Sequence, residues 1–133
     1  MTFSIVIGTR GRPDSLRRCL ESIVAQTVRP DEVLIVDDGA LEPEPLIARL
    51  RDAGIAAVYV NKSHDPGLTR SRNLGIRRSI VDVVMFLDDD VELGPRYIEA
   101  VRAVYEAHPE AGGVGGRLIG GTLSWPKSLL LRF

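Results

Sequence analysis

Three consecutive carboxylates, Asp88, Asp89 and Asp90, follow directly on an apolar run, Val83-Val84-Met85-Phe86-Leu87. Like charges this close repel and raise one another's pKa, so such a run calls for an opposite charge. Helix capping does not account for it, because the next helix is predicted from Pro95, several residues too late. A solvated acidic turn is the plain reading; the sharper one is that three hard oxygen donors at the end of a buried strand form a divalent-cation site, for magnesium or manganese. A second acid pair, Asp37-Asp38, ends the strand-length segment Glu32 to Val36, apolar from Val33 on, in the same way. Cationic and hydrogen-bonding side chains accompany the acids: Thr9, Arg10 and Arg12 after the first apolar run, then Lys62, Arg70 and Arg72. Guanidinium groups match phosphate oxygens in pairs. Acids for a cation beside arginines for phosphates point to a nucleotide diphosphate bridged by the metal.

Other residues carry plainer readings. Asp38-Gly39 taken alone is a common turn pair. Arg17, Arg18, Arg77 and Arg78 read as solvated helix faces. His64 and His108 have no partner at metal-ligand spacing and read as surface residues. The glycines between Gly112 and Gly121 lack the Lys-Ser/Thr that ends a phosphate-binding loop, and no G-x-G-x-x-G follows the first apolar run.

The elements that must hold these residues are legible in outline. Phe3 to Ile7 reads as a strand closed by Gly8. A helix from Asp14 to near Thr27 has Leu16, Cys19, Leu20, Ile23 and Val24 on one face. Glu32 to Val36 is a second strand, and a helix follows from Pro45 with Gly54 as its stop. Ala57 to Val60 is a third strand. Asn61 to Pro66 is a polar loop, and Gly67 to Ile76 reads as a loop running into a helix. Val83 to Leu87, without polar alternation, predicts a strand buried on both faces. A helix from Pro95 ends at His108-Pro109. Gly112 to Ile119 is expected as a last strand, weakened by its glycines. Alternation of strand and helix predicts a three-layer α/β/α fold with a mostly parallel sheet, and it gathers the strand carboxyl ends on one edge.

The composition fits one globular domain over residues 1–133: 44% hydrophobic, 26% charged, formal net charge −1. Such a charge gives no warrant for a nucleic-acid partner. The single cysteine excludes an internal disulfide and reads as core in a reducing compartment. With no basic-then-apolar leader and no run of membrane-spanning length, the expected location is cytoplasmic. An apolar cluster, Trp125 with Leu129, Leu130, Leu131 and Phe133, closes the sequence. It predicts a surface covered by further chain, by self-association or by peripheral contact with the inner face of a membrane.

The motifs also resemble a known family. Ser4 to Arg10, Leu20 to Thr27, Glu32 to Gly39, Gly67 to Gly75 and Phe86 to Asp90 are similar, in order and spacing, to those of family 2 glycosyltransferases. The resemblance implies a GT-A fold, a divalent metal (manganese or magnesium), and a nucleotide-diphospho-sugar donor, with a uridine diphosphate sugar favoured. It implies inverting transfer to an acceptor hydroxyl on a glycan, a lipid-linked compound or a small molecule. By position it places Thr9 and Asp38 at the nucleotide base, Arg72 and Asn73 in the donor-side loop, Asp88 or Asp89 at the ribose and Asp90 at the metal; Arg10, Arg12 and Gly67 complete the expected donor-binding residues, and Asp88 joins Asp90 as an expected metal ligand. Gly8 departs from the family, which often has proline there. The family's catalytic base is expected beyond Phe133, so the sequence reads as the donor-binding half of a truncated catalytic domain, able to bind donor without transferring sugar. The alternative from the residues is a magnesium-binding phosphoacceptor domain of the receiver type. Against it, that type carries its acid pair after the first strand, where this chain has Thr9-Arg10.

Overall fold

The computed structural model describes residues 1–119. Four strands and four helices alternate: β1 (Phe3–Thr9), α1 (Pro13–Val24), β2 (Glu32–Asp37), α2 (Glu44–Asp52), β3 (Ala56–Asn61), α3 (Leu68–Arg78), β4 (Val83–Asp88) and α4 (Tyr97–Ala107). The four strands form one sheet in the order β3-β2-β1-β4, and every neighbouring pair is parallel. Ile5 of β1 stands opposite Val33 on one side and Met85 on the other.

Two apolar layers close the sheet. On one face Ile5, Ile7, Val33 and Ile35 pack against Leu16, Cys19, Leu20 and Ile23 of α1, Ile47 and Leu50 of α2, and Ile98 and Val101 of α4. On the other face Val6, Leu34 and Val36 meet Leu74 of α3. That packing depends on Gly75, where an added Cβ would lie 2.4 Å from Val6 Cγ1. The α/β three-layer expectation therefore holds, and the observed sheet is wholly parallel.

Three expectations differ from the structure. β4 is not buried on both faces: its residues are half-buried, and Phe86 is 43% exposed. β1 and β2 are the fully buried strands, because each has a neighbour on both sides. Among the described residues β4 has only β1 beside it, and an apolar run does not reveal how many strands flank it. No strand forms at residues 112–119. There Gly116 instead abuts the Tyr97 ring, which a Cβ would approach to 2.5 Å. The last helix starts at Tyr97, after a turn in which Tyr97 N–H bonds the Gly94 carbonyl at 3.0 Å.

The segment after Gly67 is helical throughout. Gly67 supplies a φ of 143°, open to glycine and strained for other residues, and α3 starts on the next residue. Among the described residues no helix is long and apolar enough to cross a membrane. The expected apolar cluster from Trp125 to Phe133 lies outside the described residues.

Candidate functional site

The chain runs outward from β1 to β2 to β3 and then returns to place β4 on the other side of β1. A parallel sheet opens a crevice at the carboxyl ends of its strands where the order reverses, here between β1 and β4. Thr9 and Asp88, the last residues of those strands, stand at its mouth.

The three acids after β4 are not equivalent. Asp89 is turned inward, with its side chain 1% exposed. It accepts a hydrogen bond from the Thr9 hydroxyl at 2.7 Å and pairs with Arg12 Nη2 at 2.8 Å. This ties the end of β1 to the turn after β4. Asp88 and Asp90 point outward, 58% and 56% exposed. Each meets one guanidinium at longer range: Asp90 with Arg12 Nη1 at 3.4 Å, and Asp88 with Arg72 Nη2 at 3.2 Å. Arg72 also lies over the Phe86 ring, 5.7 Å from its centroid. The repulsion within the acid run is thus offset by two arginines from separate elements.

Helix α1 supports the turn from below. The Cys19 thiol lies 3.7 Å from the Asp88 carbonyl, and Leu93 N–H bonds Ser22 Oγ at 2.9 Å. Gln26 donates to the Gly94 carbonyl at 2.7 Å and accepts from Ile98 N–H at 3.1 Å. Burial first, and then the carboxylates of Asp89, Asp90, Glu92 and Asp88, push the Cys19 thiol up to about 12. Cys19 is a core residue, as its place on the apolar face of α1 predicts.

The acids after β2 have other partners. Asp37 is fully buried and accepts from Gly39 N–H at 2.7 Å, Leu41 N–H at 2.9 Å and the Tyr59 hydroxyl at 2.8 Å. Asp38 receives Lys62 Nζ at 2.9 Å on one oxygen and Gly67 N–H at 2.7 Å on the other. Burial pushes the Asp38 carboxyl up, but the Gly67 N–H, the Lys62 ammonium and the more distant Arg10 outweigh it and hold the group below the usual aspartate value. Lys62 is itself 6% exposed and also bonds the Asp65 carbonyl. The backbone joins the two clusters, since Asp38 N–H donates to the Thr9 carbonyl at 2.9 Å.

Thr9, Arg12, Arg72, Asp88, Asp89 and Asp90 therefore form one cluster, and Asp38, Gly67 and Lys62 a second beside it. Arg10 lies exposed at the tip of the turn after β1 and has no ion-pair partner among the described residues. Asn73 belongs to neither cluster: it lies in a groove toward β3, whereas Arg72 reaches toward β4. Adjacent helical residues point about 100° apart, so a sequence pair on α3 need not share a site. Lys62 has a larger part than its sequence suggested. The available signal was a rare lysine, one residue past a strand end, in a chain whose cations are mostly arginine.

As a metal site, Asp88 and Asp90 supply two outward carboxylates of the right hard-oxygen chemistry. Among the described residues no group of three His, Cys, Asp or Glu could hold an ion by itself. This donor set fits a cation that takes its remaining ligands from phosphates and water, as magnesium and manganese do in phosphate-bearing sites.

The chain belongs to glycosyl transferase family 2, whose profile matches residues 4–132. A glucosyl-dolichyl phosphate glucuronosyltransferase of Haloferax volcanii is 33% identical over 122 residues, covering 90% of this chain and 39% of that protein. Crystalline S. aureus TarS 1-349 in complex with UDP-GlcNAc superimposes with a TM-score of 0.69 at 21% identity, covering 91% of this chain and 37% of that one. The mannosyltransferase PcManGT from Pyrobaculum calidifontis, in complex with GDP-Man and Mn2+, gives 0.65 at 20%, covering 80% and 32%. At these identities the structural likeness is one of fold, the GT-A architecture. The chain spans less than half the length of these proteins. Membership of this family removes the receiver-type alternative.

Proposed function

We propose that this domain holds the nucleoside diphosphate part of an activated sugar across the crevice between β1 and β4, within a transferase that passes the sugar to an acceptor hydroxyl. One observation carries the reading. The middle acid of the run is buried as an anchor, which leaves Asp88 and Asp90 facing outward beside Arg12 and Arg72. Complexes of TarS with UDP-GlcNAc and of PcManGT with GDP-Man and Mn2+, on the same fold, support it.

In this reading Asp90, with Asp88, would hold manganese or magnesium, which supplies Lewis-acid stabilisation of charge on the departing pyrophosphate. Thr9 and Asp89 fix the turn that carries both carboxylates. Arg12 and Arg72 pair with the two acids and offer further guanidinium donors toward phosphate oxygens. Arg10, at the rim with no ion-pair partner among the described residues, would meet the ligand's negative charge. Asp38 lies beside the end of β1 and accepts from a base that presents an imide N–H. Uracil and guanine have that donor, whereas cytosine presents an acceptor at the same position. In the transfer itself the acceptor hydroxyl gives its proton to a general base as its oxygen bonds to the anomeric carbon, the sugar–phosphate bond breaks with inversion, and the nucleoside diphosphate leaves with the bonding pair.

Calorimetry with uridine diphosphate tests the site. With manganese present, Asp90→Asn is expected to weaken binding about ten-fold, the loss of one charged ligand contact. In chelator the two proteins should bind equally. Equal affinity in manganese would overturn the assignment of the acid turn. Cytidine diphosphate should bind less tightly than uridine diphosphate by roughly 1.5–3 kcal/mol, one hydrogen bond to a charged group. Identical affinities would remove Asp38 from the base contact.

A further inference from the structure

The opposite edge of the sheet carries the reverse charge pattern. A groove of about 460 Å³ runs between the end of β3 and the flank of α3, lined by Lys62, His64, Arg70, Asn73, Arg77 and Arg78 among others, with Asp65 its one carboxylate among the described residues. Arg70, Asn73 and Arg77 fall at i, i+3 and i+7 and so share one flank of α3, which contains no acid. The Asp65 carboxylate pairs with Arg70 Nη1 at 2.6 Å, and its backbone carbonyl accepts from Lys62. The other nitrogens of Arg70 are not in those contacts. Arg77, Arg78 and the Asn73 amide have no ion-pair or side-chain hydrogen-bond partner among the described residues.

A favourable helix dipole would explain Arg77 and Arg78, which sit in the last turn of α3. It does not explain Arg70, which stands in the first turn, where a positive charge opposes the dipole. An ordinary solvated face also mixes signs, as the Arg96–Glu99 and Arg49–Glu21 pairs do elsewhere on this chain. The groove instead concentrates planar fork donors along a concave strip, an arrangement suited to phosphate oxygens. The acid turn lies at the far edge, since β3 and β4 are the outer strands of the sheet.

We propose that this groove is a second anion site, which takes a phosphate monoester or diphosphate group apart from the crevice between β1 and β4. It goes beyond the donor reading and does not depend on it.

The test is titration of the isotopically labelled chain with inorganic pyrophosphate in chelator, followed by NMR. Backbone signals of Arg70, Asn73 and Arg77 are expected to shift in a saturable way, with those of Asp88 to Asp90 unmoved. Arg77→Gln/Arg78→Gln, a double change at exposed unpaired positions, should weaken the pyrophosphate titration about ten-fold. The same variant should bind uridine diphosphate in manganese as the native chain does, which separates this site from the donor site. Sedimentation with phosphatidic acid vesicles against phosphatidylcholine vesicles identifies the source of the phosphate. Selective retention that the double variant loses indicates a lipid headgroup, and pyrophosphate binding without retention indicates a soluble phosphorylated compound. The proposal is overturned if neither probe binds, if the shifts fall only at the acid turn, if the double variant binds pyrophosphate unchanged, or if chloride at matched ionic strength competes equally.

Discussion

The acid turns after β2 and β4 are built alike and finished differently. Each has an inward carboxylate that holds backbone and side chains together, Asp37 in one and Asp89 in the other. Each also has outward acids. Asp38 has the Gly67 N–H on one oxygen and the Lys62 ammonium as an ion pair on the other and is 10% exposed, whereas Asp88 and Asp90 are more than half exposed with one long arginine contact apiece. A carboxylate already satisfied by the chain contributes to folding. One left partly satisfied keeps its coordination capacity for a ligand, so the β4 turn is the more open of the two, and Asp38 meets the proposed base with only the lone pairs that its Lys62 and Gly67 contacts leave.

Substitutions can break or sharpen that contrast. Asp37→Ala should have the largest effect, a loss of about 4 kcal/mol, because two half-buried N–H groups and the Tyr59 hydroxyl lose the buried carboxylate that accepts from all three. Urea denaturation would show it. Asp89→Ala should cost about 3 kcal/mol by leaving the Thr9 hydroxyl without its acceptor and Arg12 with only its longer Asp90 contact. If it left stability unchanged, the anchor role of the middle acid would be lost.

Asp38→Asn should follow at about 2 kcal/mol near neutral pH, since it strips a charge from the nearly buried Lys62. Its pH signature is specific. The folded-state pKa is depressed below the ordinary 3.8, so the stabilisation is complete above that value and is lost as pH falls through the lower folded value. Urea midpoints between about pH 5 and about pH 3 should therefore fall more steeply in the native chain than in the variant. A parallel fall in both would show that the Asp38 cluster adds nothing in acid. Asp90→Asn should be the smallest change, within about 0.5 kcal/mol without metal, because an exposed acid with a long contact contributes little. A large loss of stability there would make the two turns equivalent.

Much of this arrangement was legible in the sequence, for identifiable reasons. Periodicity marked α1 through Leu16, Cys19, Leu20, Ile23 and Val24, all of them buried. Apolar runs ending in acids marked β2 and β4, and alternation placed their ends on one edge. What could not be read was neighbour count and side-chain direction. Val83 to Leu87 is as apolar as the inner strands yet lies at an edge of the described sheet. Asp88, Asp89 and Asp90 are identical in type, and only the positions of Thr9 and Arg12, about 80 residues earlier, decide which one turns inward. Arg72 and Asn73 are adjacent in sequence but serve opposite flanks of α3, because the crossover from β3 to β4 passes over the sheet between them.

The thiol under the acid turn makes the chain its own clock for local opening. Cys19 is the only cysteine, is fully buried and lies 3.7 Å from the Asp88 carbonyl, so a reagent can reach it only when α1 and that turn part. The rate at which a small alkylating agent consumes it then reports the opening equilibrium of this corner, in the way amide exchange reports local unfolding. Any ligand that closes the turn slows the clock in proportion to the population it withdraws from the open form, with no label added to the protein.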